Sequence, residues 1–259
     1  MNTEPADTPT RNTEWYLDHV ASDTERFAVL LETSSTDVPI AACPGWDVLR
    51  LAEHVGRIHR WSEFCASNAR PPTPDEVARA EELDPFEPDG AADWLRAGSA
   101  RLAATLRGLD PTAPTWHPFP VDRIAAVWPR RQAHETAIHR WDAEGAVGLE
   151  AELDADLASD GIDEYFEVAI PRLVVRESVS VPDGSLHVHC TDVDGEWLVW
   201  SDDGDYHMIR AHQRGDAALR GPAAPILLRL WGRDSGREHE LSRVGDEAVL
   251  AAWLAIAGM

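Results

Sequence analysis

Lysine is missing from this chain of 259 residues: all 23 basic residues are arginine, set against 46 acidic ones, for a formal charge of −23. Any cationic recognition of a ligand must therefore use guanidinium, planar and able to grip a carboxylate with two donors. The acid excess argues against a nucleic-acid backbone or an anionic membrane surface as partner, while small anions stay open because one local arginine can hold them. Cysteine is scarce. Cys43, Cys65 and Cys190 are odd in number and form no CxxC pair, which reads against a disulfide framework and points to a reducing cytoplasm. Long apolar runs are also lacking, the longest (about 248–259) falling short of the roughly 20 residues a membrane span needs. Residues 1–14 have no apolar core of the kind a secretory signal carries. No glycine-rich phosphate loop and no internal repeat is present. What the chain does have is 44% apolar residues, enough for a packed core and against global disorder. Arginine-only basicity with abundant alanine suggests GC-rich coding and an actinobacterial source. The length admits one large domain or two smaller ones.

Periodicity divides the chain near residue 180. Trp15, Leu17, Val20, Phe27, Leu30 and Leu31 repeat at helical spacing and predict a helix over 13–33. The Pro-Gly segment 39–47 reads as a loop ending on Asp47, a good N-cap for a second helix over 48–67. Residues 70–90, rich in Pro, Asp and Glu, read as a long connecting loop. A third helix is expected over 91–109, a fourth from about 121 or later to 144, and a further one over 154–174 that leaves the bundle. After Pro182-Asp183-Gly184 the pattern alternates as strands do, with Asp-Gly turns, and two short helices (about 223–231 and 245–257) close the chain. The expected fold class is α+β: a flexible stretch over 1–12, a four-helix bundle over 13–178, and a small α+β domain over 179–259.

Within the fourth helix, Glu135 and His139 stand four residues apart and so project from one face. His54 sits on or near the apolar stripe of the second helix. Two imidazoles and one carboxylate leave one position of a tetrahedron open, the pattern of a catalytic rather than a structural zinc site. The spacing is not H-E-x-x-H, since His134 points about 100° away from Glu135. Residue pattern alone leaves two readings open: a metal site, or a core histidine hydrogen-bonded to a glutamate.

The stretches VPIAACPGWDVLRLAEHVGRIHRW (38–61), WPRRQAHETAIHRWD (128–142) and GDAALRGPAAPILLRLWGR (215–233) resemble the mycothiol-dependent maleylpyruvate isomerase family. The resemblance implies a DinB-like four-helix bundle followed by a small domain of sterol-carrier type. It implies a Zn2+ ion (or another divalent metal) held by His54, Glu135 and His139, and mycothiol as thiol cofactor or cosubstrate. It further implies cis–trans isomerisation of a maleylpyruvate-like substrate, or S-transfer to another small electrophile. An arginine of the C-terminal domain is expected to meet the substrate, Arg233 first and Arg220 second.

Other residues have plainer readings. Arg57 is expected to pair with Glu53 on the helix surface, Cys43 to pack as a small apolar residue, and Trp46 to staple its loop to the bundle. His59 is read as structural. His187 and His189 alternate on one strand face and, with no third ligand in sight, are read as a solvent-facing pair. Asp142 either holds Arg140 or backs His139. The competing functions are a zinc hydrolase, with water at the open position, and a non-catalytic small-molecule or lipid-binding protein. The expected state is a cytoplasmic monomer or small homo-oligomer, with no nucleic-acid or membrane partner.

Overall fold

The computed structural model describes residues 11–177 and 179–256. Most of the stretch expected to be flexible, 1–12, lies outside the described residues. The chain forms two compact units: a helical one, Thr10–Pro118 with Asp122–Glu152, and a mixed one that runs from Leu153 and includes Phe119–Val121.

In the helical unit, Asn12 caps α1 (Thr13–Thr33) by accepting from the Trp15 N–H, and Asp47 caps α2 (Val48–Asn68) by accepting from the Arg50 N–H at 2.7 Å. Each cap satisfies an orphan donor of the first turn. The loop between them turns at Cys43-Pro44-Gly45-Trp46, where the Trp46 N–H reaches the Cys43 carbonyl and Gly45 adopts φ +83°. Proline second and a left-handed glycine third are what a type II turn requires. Against the expectation of a loop over 70–90, α3 (Pro74–Leu83) forms there, followed by one 3-10 turn at Pro88–Gly90. Hydrophobic periodicity could not reveal it, because none of its residues is buried. Its signal is the capping box: Thr73 and Glu76 bond each other's backbone, with Pro74 opening the helix.

Next come α4 (Ala91–Gly108) and α5 (Val127–Ala146). α5 packs on α1 and α2, and α4 on the same two from the other side, so α2 and α5 are neighbours in the ring. Leu17, Val20, Phe27, Leu51, Val55, Leu95 and Leu102 are fully buried, each contributing about 1.5–3 kcal/mol by leaving water. α5 buries polar groups as well. Its Arg140 is 2% exposed and bonds Asp23 and Glu144, and Glu144 also accepts from Nε and Nη2 of Arg26.

The mixed unit begins with α6 (Ala155–Glu164), which passes through a π-turn at Tyr165–Ala169 into α7 (Ile170–Glu177). Pro171 lacks an N–H and would clash inside a regular helix, so the widened turn just ahead of it lets the helix restart. Five strands follow: β1 (Leu186–Cys190), β2 (Glu196–Asp202), β3 (Asp205–Ile209), β4 (Ala217–Gly221) and β5 (Ser242–Gly245), in the order β3-β2-β1-β4-β5. β1 and β4 run parallel and the other pairs antiparallel. Two helices complete the unit, α8 (Ala223–Leu230) and α9 (Glu247–Ala255).

The grouping differs from the boundary expected at 178. α6 packs on α8, Asp163 accepts from the Trp197 indole, and the Phe166 carbonyl accepts from Tyr206. These bonds tie the helix at 155–177 to the sheet, so the mixed unit starts some 25 residues earlier than strand alternation suggested. No helix among the described residues is long and apolar enough to cross a membrane.

Candidate metal centre

α2 and α5 lie side by side, and their facing residues include the three singled out by spacing. His54 Nε2 is 3.2 Å from Glu135 Oε1, and His139 Nε2 is 3.4 Å from the same oxygen. The two imidazoles stand edge to face, 5.3 Å apart at 90°. One ligand atom from each of the three lies within 4.8 Å of the others. All three are half-buried.

The surroundings prepare these side chains. Asp142, with a side chain 1% exposed, sits 3.2 Å from His139 Nδ1. Of the two roles open to it, Asp142 therefore backs the histidine, while Arg140 turns to Asp23 and Glu144. Such a carboxylate fixes the ring and makes its other nitrogen a better donor. Arg131, one turn before Glu135, donates to Glu135 Oε2 at 3.0 Å. Trp46 packs against His54 with ring centres 4.9 Å apart, as well as anchoring its loop to the core.

Electrostatics follow from this geometry. Burial opposes ionisation of Glu135, but hydrogen bonds from His139 and His54, with the charges of His139 and Arg131, hold its carboxyl well below the usual range. Burial also works against the charged form of His139, yet Asp142 and Glu135 outweigh it and push the imidazole up to about 9. His59, fully buried against the Thr136 hydroxyl at 2.9 Å, is driven down to about 4 by its burial and stays neutral.

The donor set fits a divalent ion of the zinc type. Two imidazole nitrogens and one carboxylate oxygen converge, and Asp142 leaves His139 Nε2 facing the other two donors. Magnesium or calcium sites, by contrast, are built from oxygen.

Arg57 binds Glu53, as expected, and also Glu81 of α3. Cys43 packs at the edge of the core, yet its sulfur also groups with His139 and Asp142 within 4.8 Å, which loop composition did not announce. Arg131 was overlooked, although its position four residues before Glu135 was a readable signal. Cys65 and Cys190 are pushed by burial up to about 12, so their thiols are inert at neutral pH.

The two arginines expected to meet substrate belong to the mixed unit. Arg233, just past α8, is half-buried and donates to the Trp231 carbonyl at 3.0 Å. Arg220 is exposed on β4, in register with His189 of β1. The reading of His187 and His189 as a lone solvent-facing pair is corrected: Glu196 and His212 join them, and all four ligand atoms lie within 4.8 Å of one another. Alternation revealed the pair on one strand, but only pairing with β2 and the return of the chain after β3 supply its companions.

Comparison with known proteins agrees with this architecture. Residues 17–144 match the family model described as the mycothiol maleylpyruvate isomerase N-terminal domain, and residues 156–252 match the MDMPI C-terminal domain. The chain resembles a crystal structure of the mycothiol-dependent maleylpyruvate isomerase at 14% identity and TM-score 0.59, covering 94% of this chain and 95% of that one. A histidine-to-alanine variant of that isomerase matches at 15% identity, with the same TM-score and coverage. No curated protein matches the chain. At such identities the solved structures speak for the fold, while the two domain models together take in both units. On that ground the chain belongs to the mycothiol-dependent maleylpyruvate isomerase family of enzymes.

Proposed function

We propose that this chain uses the thiol of mycothiol on a small electrophile, at a divalent metal held by His54, Glu135 and His139. The observation that carries the reading is the convergence of His54 Nε2, Glu135 Oε1 and His139 Nε2, with the second nitrogen of His139 already committed to Asp142. Three protein donors are one fewer than a tetrahedral ion takes, as in catalytic rather than structural sites. A zinc ion bound there stabilises the deprotonated form of a thiol, whose pKa is otherwise about 8.5.

The residues of this chain do the rest. Glu135 stays ionised and contributes a negative oxygen. Asp142 orients His139, and Trp46 walls one side of His54. Addition of the thiol sulfur to an activated cis double bond leaves a single bond that can rotate. Elimination then returns the thiol and the trans product. If the electrophile instead carries a leaving group, the sulfur displaces it, the leaving group departs with its electron pair, the thioether persists and the reaction is S-transfer. A carboxylate on the substrate calls for guanidinium in a chain without lysine; we assign this to Arg233 first and Arg220 second.

The test is zinc content and mycothiol-dependent turnover of maleylpyruvate in the unaltered protein, His54→Ala, Glu135→Ala and Arg233→Gln. The two ligand variants are expected to lose about one zinc per chain together with turnover. Arg233→Gln is expected to keep its zinc and raise KM. Zinc content unchanged in His54→Ala and Glu135→Ala would overturn the metal assignment. Turnover of an ester or amide without mycothiol would replace it with a zinc hydrolase.

A further inference from the structure

We propose that the mixed unit carries a second, structural transition-metal site formed by His187, His189, Glu196 and His212. Residues two apart on a strand share a face. Leu186, Val188 and Cys190 of β1 are buried on the core face, so His187 and His189 stand together on the opposite one. Antiparallel register places Glu196 of β2 directly across from His189. The chain then runs through β3, on the far side of β2, and returns with His212. The three imidazoles form a near-equilateral triangle, with ring centres 6.1 Å (His187–His189), 5.6 Å (His187–His212) and 6.1 Å (His189–His212) apart.

Glu196 closes the fourth corner. One of its oxygens meets His189 Nδ1, and both stand 2.9 Å from His212 Nδ1. The remaining imidazole supplies an independent observation: His187 Nε2 is buried and has no hydrogen-bond partner. A buried polar nitrogen left unpaired is costly, and such groups call for a missing partner. A metal ion is the partner that serves all four side chains at once.

The four ligand atoms lie within 4.8 Å of one another. A tetrahedral ion with bonds of about 2.0–2.1 Å sets its ligands about 3.4 Å apart, so closure takes movements of about 1 Å. His212 has a side chain 81% exposed and can make that shift without repacking a core. Three imidazoles and a carboxylate suit Zn2+, or Ni2+ and Cu2+, and do not suit Mg2+ or Ca2+. Four protein donors complete a tetrahedron, whereas the bundle site offers three. The second site is therefore closed, and its effect is to pin the segment after β3 to the β1–β2 pair.

Zinc titration of the full-length, metal-stripped protein against a chromophoric chelator tests this separately from the bundle site. The unaltered chain is expected to take up about two equivalents, and His54→Ala and the double variant His187→Ala/His212→Ala about one each. Saturating zinc is expected to raise the Tm of His54→Ala by about 5 °C. The same addition is expected to leave His54→Ala/His187→Ala/His212→Ala unmoved. His212→Ala alone, a change at an exposed side chain, is expected to weaken this site at least about 10-fold. A double variant that binds as much zinc as the unaltered chain, or a His54→Ala protein that binds none, overturns the second site. Retention of zinc by the double variant that is lost in His54→Ala still supports the bundle site, so the two proposals fail independently.

Discussion

Asp142→Asn isolates what the buried carboxylate does for His139. The substitution keeps shape and removes charge at a side chain that is 1% exposed and 3.2 Å from His139 Nδ1. Carboxylates backing a metal-bound histidine contribute about 10–100-fold in metal affinity, or about 1.4–2.8 kcal/mol. Asparagine can still accept the Nδ1–H, so the lower end, about 10-fold, is expected; Asp142→Ala, which also frees the ring, is expected near 100-fold. Chelator competition measures this, with near-UV circular dichroism to verify that the fold is unchanged.

A second readout needs no metal. In the stripped protein Asp142 and Glu135 push His139 up to about 9, so removing one carboxylate must move its NMR titration downward. The sign for stability follows from the same shift. A folded pKa of about 9 against about 6.5 unfolded gives His139 a contribution of about 3 kcal/mol. It is fully present below pH 6.5 and lost as pH rises through 9. Asp142→Asn narrows that window from its upper end. Zinc affinity within twofold of the unaltered chain, together with an unmoved His139 titration, refutes the orienting role of Asp142.

Gly56→Ala is expected to destabilise the helical unit. An added Cβ would stand 2.1 Å from the Trp94 ring, which is held by its indole bond to the Asp84 carbonyl and by Arg60 stacked 3.6 Å above it. The helix gains about 1 kcal/mol from alanine and loses about 1–3 kcal/mol to overpacking, so urea unfolding should show a net loss; a stabilised variant contradicts this. For His59, burial lowers the folded pKa to about 4 against about 6.5 unfolded. Its contribution of about 3 kcal/mol is complete above pH 6.5 and disappears as pH falls towards 4. His59→Gln should flatten the stability curve across that interval, and parallel curves for the two proteins rule the account out.

Much of this was legible because local rules and tertiary demands agreed. Asp47 reads as a cap and is one, and the spacing of Glu135 and His139 already put both on one helix face. The pairing with His54 became legible through a recognised motif, since spacing within a helix says nothing about which helix lies opposite. α3 escaped because an exposed helix carries no apolar period, although its capping box was written in Thr73 and Glu76. The helix at 155–177 was expected to leave the bundle, but its partner α8 was not legible, because periodicity identifies an element and not what it packs on.

The sequence by itself determined the arginine-only chemistry, the helical and strand periods, the caps, and the types of ligand available. Those are properties of residues and of spacings within one element, where the backbone repeat does the geometry. Tertiary structure alone decided that Asp142 serves His139 while Arg140 serves Asp23 and Glu144, and that Arg131 leans on Glu135. It also turned a histidine pair on β1 into a four-residue cluster, since Glu196 arrives by strand register and His212 by the return of the chain. Convergence of donors from separate elements depends on packing and register, which no local pattern encodes.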